Sequence, residues 1–203
     1  MAAPKKSSTR GRPPSITRER IADAGIEMTL PKLSFVGVAA LLGVSHIALY
    51  KHVANLAALR EQVAEAIFER WHAPPLATGK SATIEGDLFT FHRSLRTLVE
   101  QNPGLAPFLV SHGAKTPEMV ERIRQHHAAF ARAHDLPLEQ AAWLLSTVAY
   151  HCVALADTVY ARHATMDTSR RAYDPEQAEA EFDRGMQALI RGALAMCRGQ
   201  EAG

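Results

Sequence analysis

Cysteine is scarce in this sequence, with only Cys152 and Cys197 in 203 residues. Both stand inside apolar helical patterns, far from any second ligand at metal-binding spacing, so a disulfide framework is excluded and both read as reduced core thiols. The basic start of the chain (Lys5, Lys6, Arg10, Arg12) is not followed by an apolar h-region, as a secretory signal would require. No later stretch is expected to combine the length and unbroken apolarity of a membrane span. These absences predict a cytoplasmic protein with no membrane partner. Period-two alternation is never sustained and no internal repeat is present, which leaves neither a sheet nor a solenoid. Serine, histidine and aspartate are plentiful, yet none lies in a nucleophile elbow, a phosphate-binding loop or a metal-ligand run. The chain is therefore read as a non-enzyme that needs no cofactor and no metal.

What is present is helical periodicity from residue 15 onward and a lopsided charge. The formal net charge is only +2. Up to Arg20, however, six basic residues (Lys5, Lys6, Arg10, Arg12, Arg18, Arg20) face the single acid Glu19, so the positive charge gathers at one end. The 3.6-residue apolar period predicts an all-α fold with helices over residues 17–29, 35–42, 46–53, 56–71, 84–101, 105–112, 117–134, 138–163 and 176–198. Ser15 or Thr17 is expected to cap the first helix and Pro31 to end it. Ser34 precedes the second, Gly43 stops it, and Ser45 caps the third. The Pro- and Gly-containing stretch from Ala73 to Ala82 marks a connection between a small N-terminal unit and a larger helical one.

The most informative stretch runs from Leu33 to Leu59. Two short helices flank Gly43, apolar residues stand where they would cross (Val38, Ala39, Leu42, Val44, Leu49, Val53), and the second helix carries polar residues on its remaining face. A helix-turn-helix needs these features to enter a major groove, although a helical hairpin inside a larger bundle would show the same periodicity. Within this stretch, Gly43-Val44-Ser45, Leu49-Tyr50 and His52-Val53 together resemble the turn and recognition helix of the tetracycline-repressor (TetR) family of transcriptional regulators. The resemblance covers about residues 15–60, and beyond it only length and helical layout are similar. It implies three parts: a flexible basic arm over 1–14, a three-helix helix-turn-helix DNA-binding domain over 15–72, and a larger helical ligand-binding and dimerisation domain over 73–203.

The implied function is a ligand-responsive regulator, of repressor type, that binds palindromic operator DNA as a homodimer and is released by a small apolar or aromatic effector. Ser45 and Ser34 stand at helix starts, where hydroxyls and free N–H groups suit phosphate, and Tyr50 and His52 match backbone-contacting positions. His46 and Lys51 can donate to guanine O6 or N7, and Ile47 can meet a thymine methyl. The sequence departs from the family pattern at Val36 and Leu41, where polar residues are usual, at Gly37, where an acid often completes a capping box, and at Leu56, where lysine is common. Phosphate affinity must then come from elsewhere. Arg10-Gly11-Arg12-Pro13 is an AT-hook-like element suited to the minor groove, or else a merely solvated tail.

In the C-terminal part, the helix over 138–163 is apolar nearly all round, which predicts cover on both sides. The resemblance implies that it pairs with the last helix and their copies in a four-helix bundle. The interface is expected at Val148, Leu155, Phe182, Met186, Leu189, Ile190 and Leu194, the alternative being a wholly intramolecular core. An apolar set with a few polar groups (Phe89, His92, Phe108, His112, Ile123, His126, Trp143, Tyr150, His151) is expected to line a ligand pocket, though an ordinary core would have the same composition. Helix four is expected to act as a lever, pressed at its end by the short sixth helix when ligand enters.

Overall fold

The computed structural model describes residues 16–79, 82–111, 113, 115–165 and 175–200, and all regular structure among them is helical. Arg10, Arg12 and His112, each expected at a site, lie outside the described residues. The elements are α1 (Arg18–Met28), α2 (Phe35–Leu42), α3 (His46–Leu49), α4 (Leu56–Arg70), α5 (Ile84–Gln101), α6 (Ala106–Val110), α7 (Pro117–Ala133), α8 (Leu138–Thr165) and α9 (Pro175–Gln200).

Helix starts follow the expected chemistry. Thr17, Ser34, Ser45, Asn55, Thr83 and Thr116 each accept a hydrogen bond from a first-turn N–H of the helix they precede. Helix α1 stops at Met28, three residues before the expected breaker Pro31, because Thr29 turns to φ 67°. Pro31 instead lies in a 3-10 turn at Leu30–Lys32. Gly43 adopts φ 67° and ψ 33°, and the Val44 N–H reaches back to the Ala39 carbonyl at 3.0 Å, a Schellman-type stop to α2. Regular helix in α3 is shorter than expected. It ends at Leu49 and continues only as bonded turns to Val53, whose N–H donates to the Leu49 carbonyl at 2.9 Å.

The N-terminal helices close over Ile21, Val38, Leu49, Leu59 and Val63, all essentially buried. Helices α1 and α4 pack so closely that a Cβ added at Gly25 would lie 2.3 Å from Val63 Cγ2. The departure at Gly37 has a similar cause, since a Cβ there would fall 2.2 Å from Met28 Cε. Met28 fills the space that a longer residue would need.

In the C-terminal part α8 is central, packed against α5, α6, α7 and α9. By length and composition it could cross a membrane over Leu138–Val159, contrary to the sequence expectation, with a mean hydropathy of 1.3. Only 33% of that stretch is buried within the chain, so the expected cover on both sides is not supplied by this chain. Arg96 joins α5 to α9 through Asp183 at 3.0 Å and Glu179 at 3.6 Å. The connection before α5 is pinned by buried Asp87, which accepts from the Ala77 N–H at 2.9 Å and lies 2.8 Å from His134 Nε2 on α7. Apolar contact also runs across the expected 72/73 boundary, through Phe68, Trp71 and Phe91 with ring centroids 5.6 and 6.3 Å apart.

Gly25→Ala tests the close contact of α1 with α4. The β-branched Val63 cannot swing away, so overpacking should cost about 1–3 kcal/mol in a denaturant melt. An unchanged midpoint would mean that the two helices separate at no cost.

Candidate functional site

Helix α3 presents one face to the core and the other to solvent. Leu49 and Val53 are buried, while Ser45, His46, Ile47, Tyr50, Lys51 and His52 are exposed. Ile47 is 66% exposed and Tyr50 55%, large values for side chains of their size. The Tyr50 ring lies flat on Phe35 of α2, centroids 4.3 Å apart and planes within 8°, which fixes its direction and leaves its other face open. The Ser45 hydroxyl accepts from the Ala48 N–H at 3.3 Å, and half-buried Ser34 accepts from the Gly37 N–H at 3.1 Å. As caps, both hydroxyl oxygens are engaged as acceptors, and each O–H remains able to donate to a phosphate. The neighbouring α2 surface is apolar, with Val36 68% and Leu41 47% exposed, so it can approach a duplex sterically but supplies no charge.

A second feature lies between the end of α4 and the C-terminal helices, a cavity of about 140 Å³. Its walls are mostly apolar: Phe68 and Trp71 at the end of α4, Phe91 and Leu95 on α5, Leu109 and Val110 on α6, and Leu145 and Val153 on α8. Polar groups enter from Lys115, from Arg122, His126 and His127 of α7, and from Ser146 and Tyr150 of α8. Burial pushes the His127 pKa down, and burial followed by the neighbouring His127 does the same to His126. Burial likewise lowers Lys115, whose Nζ lies 5.5 Å from the Tyr150 ring centroid. Arg122 is the most committed of these groups. Its guanidinium donates to the carbonyls of Phe68 (3.2 Å), Glu69 (2.7 Å) and Trp71 (2.8 Å), the C-terminal carbonyls of α4.

Of the residues expected in a ligand pocket, Ile123, His126 and Tyr150 line this cavity and the other described ones do not. His92 is 1% exposed, stacked on Phe182 of α9 at 6.2 Å and edge-on to half-buried Phe89 at 5.8 Å, on a different face of α5 from Phe91. Trp143 and His151 point outward from α8, His151 Nδ1 donating to the Thr147 carbonyl at 2.7 Å. Phe108 of α6 packs against the core away from the cavity. Lys115, Arg122, Phe68 and Trp71 were not expected. A signal existed for Arg122, which follows buried Met119 by three residues and precedes His126 by four, and so falls on the inward side of α7.

Four of the seven residues expected at the interface are closed within this chain. Val148, Phe182, Met186 and Ile190 are at most 4% exposed, because they form this chain's own contact between α5, α8 and α9. Leu189 and Leu194 are half-buried, and Leu155 is 38% exposed. Leu155, one of the expected residues, shares the exposed surface of α8 with Trp143, and α9 exposes Gly185, Ala188, Gly192, Ala195 and Met196.

Neither a protein-family model nor a curated protein matches the sequence. Solved structures do match the fold. The chain is similar to TetR from Acinetobacter baumannii AYE at TM-score 0.66 and 21% identity, over 90% of this chain and 98% of that one. It is similar to apo ActR from Streptomyces coelicolor at TM-score 0.69 and 19% identity, over 91% and 97%. BioQ from Mycobacterium smegmatis gives 0.65 and 19%, over 89% and 99%. The chain has the TetR-family fold. At such identities the likeness concerns architecture.

His92 makes the pH dependence of this fold testable. Burial holds its pKa at about 4 against an ordinary 6.5, so between those values the unfolded chain takes up a proton that the folded chain refuses. The stabilising contribution is complete above about 6.5 and is lost as pH falls toward 4. In His92→Leu, the fall in melting temperature between pH 6.5 and 4 should be shallower than in the parent protein. Identical slopes would locate the acid sensitivity elsewhere.

Proposed function

We propose that this chain is a ligand-responsive transcription regulator, of repressor type, that binds palindromic operator DNA as a homodimer inside the cell and is released by a small apolar or aromatic effector. The observation that carries the reading is the outward face of α3. His46, Ile47, Tyr50 and Lys51 stand exposed on α3 and the bonded turns that continue it, fixed by buried Leu49 behind a Gly43 turn, an arrangement suited to base edges and phosphates. The fold likeness supports it further, since ActR is known in complex with actinorhodin and an A. baumannii TetR variant with minocycline. The cavity supports effector binding over a constitutive DNA binder with a filled core.

Selection of duplexes from a random pool, followed by footprinting, tests the reading. It should yield a palindrome with half-sites about one helical turn apart. Lys51→Ala should cost about 1–3 kcal/mol of affinity and relax base preference, whereas Tyr50→Ala should weaken all sequences alike. Folded variants that bind as tightly as the parent would remove α3 as the recognition helix.

Dimerisation is assigned to the open α8–α9 face. A Cβ added at Gly192 meets nothing within 4 Å in its own chain, so Gly192→Glu should fold normally yet place a carboxylate in the helix-helix contact. Sedimentation should report a monomer, and a dimer of unchanged stability would place the interface on another surface.

A further inference from the structure

The cavity's size and charge go further than an apolar or aromatic effector. Its volume, about 140 Å³, is close to that of apolar protein cavities of about 150 Å³ that take up benzene. One ring fits. Phe68, Trp71, Phe91 and His126 supply a nearly continuous aromatic wall, with Phe91 and His126 ring centroids 5.1 Å apart. His126 Nε2 is buried with no hydrogen-bond partner among the described residues. Two cations, Lys115 and Arg122, share the same cavity, and among the described residues no carboxylate pairs with either. Among the described residues, Lys115 Nζ donates to the Ser111 carbonyl at 3.2 Å, beside its contact with the Tyr150 ring. Two positive groups facing apolar walls with neutral partners favour an anion. A planar carboxylate suits the guanidinium fork best.

We propose that the cavity is a site for a single-ring aromatic carboxylate, held by Lys115 and Arg122, and that binding draws Arg122 away from the C-terminal carbonyls of α4. This rests on the cavity being the effector site proposed above. An ionised carboxylate is a stronger acceptor for a guanidinium than neutral peptide carbonyls, so the ligand competes with the end of α4 for the same N–H groups. Released, those carbonyls lose the cation that holds the end of α4 to α7, and the helix carrying the DNA-binding unit is freed to tilt. The coupling contact comes from α7. The sixth helix, expected to press on α4, contributes Leu109 and Val110 to the cavity wall.

The test uses benzoate and its neutral isostere benzamide, titrated calorimetrically into the full chain at neutral pH, and the palindromic duplex selected by the protein. Benzoate should bind saturably and at least tenfold tighter than benzamide, and Lys115→Met should abolish the preference. Saturating benzoate should weaken duplex binding, and Arg122→Gln without benzoate should show a similarly weakened affinity. Equal or tighter binding of benzamide overturns the anionic class, and failure of both probes to bind overturns the single-ring carboxylate. Benzoate binding that leaves duplex affinity unchanged overturns the Arg122 coupling. Failure of the underlying reading looks different, because the protein would then select no palindromic duplex at all.

Discussion

The last carbonyls of any α-helix have no partner inside it, and at the end of α4 one guanidinium from α7 reaches three of them. That contact matters because α4 is held on both sides. Toward the N-terminal helices it packs through Val63 on Gly25, and its Gln62 side chain donates to the Arg18 carbonyl at 3.1 Å. Toward the C-terminal part, Arg122 grips its end. Buried Glu65 stands between, ion-paired with Arg18 of α1 and accepting from the Thr116 hydroxyl at 2.7 Å, the residue that caps α7. A single carboxylate thus bridges both parts of the chain. Any shift of α7 relative to α4 must stretch or break these bonds, so movement near the cavity and the direction of α3 are mechanically connected.

The cavity lies where the aromatic contacts of α4, α5 and α7 converge. Phe68, Trp71 and Phe91 line it with flat rings. The Trp71 indole also donates to Ser94 on α5 at 2.8 Å, which keeps its ring in place. Arg122 lies with its guanidinium carbon 5.5 Å from the Phe68 ring centroid, so the charge that holds α4 is also part of the cavity wall. The side chain that caps α4 is therefore also one of the polar groups that line the cavity.

Much of this architecture was legible in advance. Helix positions followed from apolar spacing, and several of their starts from Thr17, Ser34 and Ser45, because capping depends on residues three apart in the chain. Gly43 marked the turn because few other residues adopt its backbone conformation cheaply. The exposed face of α3 followed from the buried positions of Leu49 and Val53. Less legible was which apolar face of a two-sided helix meets which neighbour. His92 and Phe91 are adjacent in sequence, yet one is sealed against α9 and the other lines the cavity. Val148 and Ile190 fit an interface pattern, yet they close this chain's own core.

The division has a physical cause. The sequence by itself determined what depends on near neighbours along the chain: the helices, their caps, the Gly43 turn, the outward set on α3 and the concentration of positive charge at the N-terminus. Only the tertiary structure decided what depends on residues far apart, such as Arg122 meeting carbonyls more than fifty positions earlier. The same holds for Glu65 bridging Arg18 and Thr116, Met28 occupying the space over Gly37, and the face of α8 that this chain leaves open. Periodicity states that a face is apolar. Which surface covers it is set by packing, and that is a property of the whole fold.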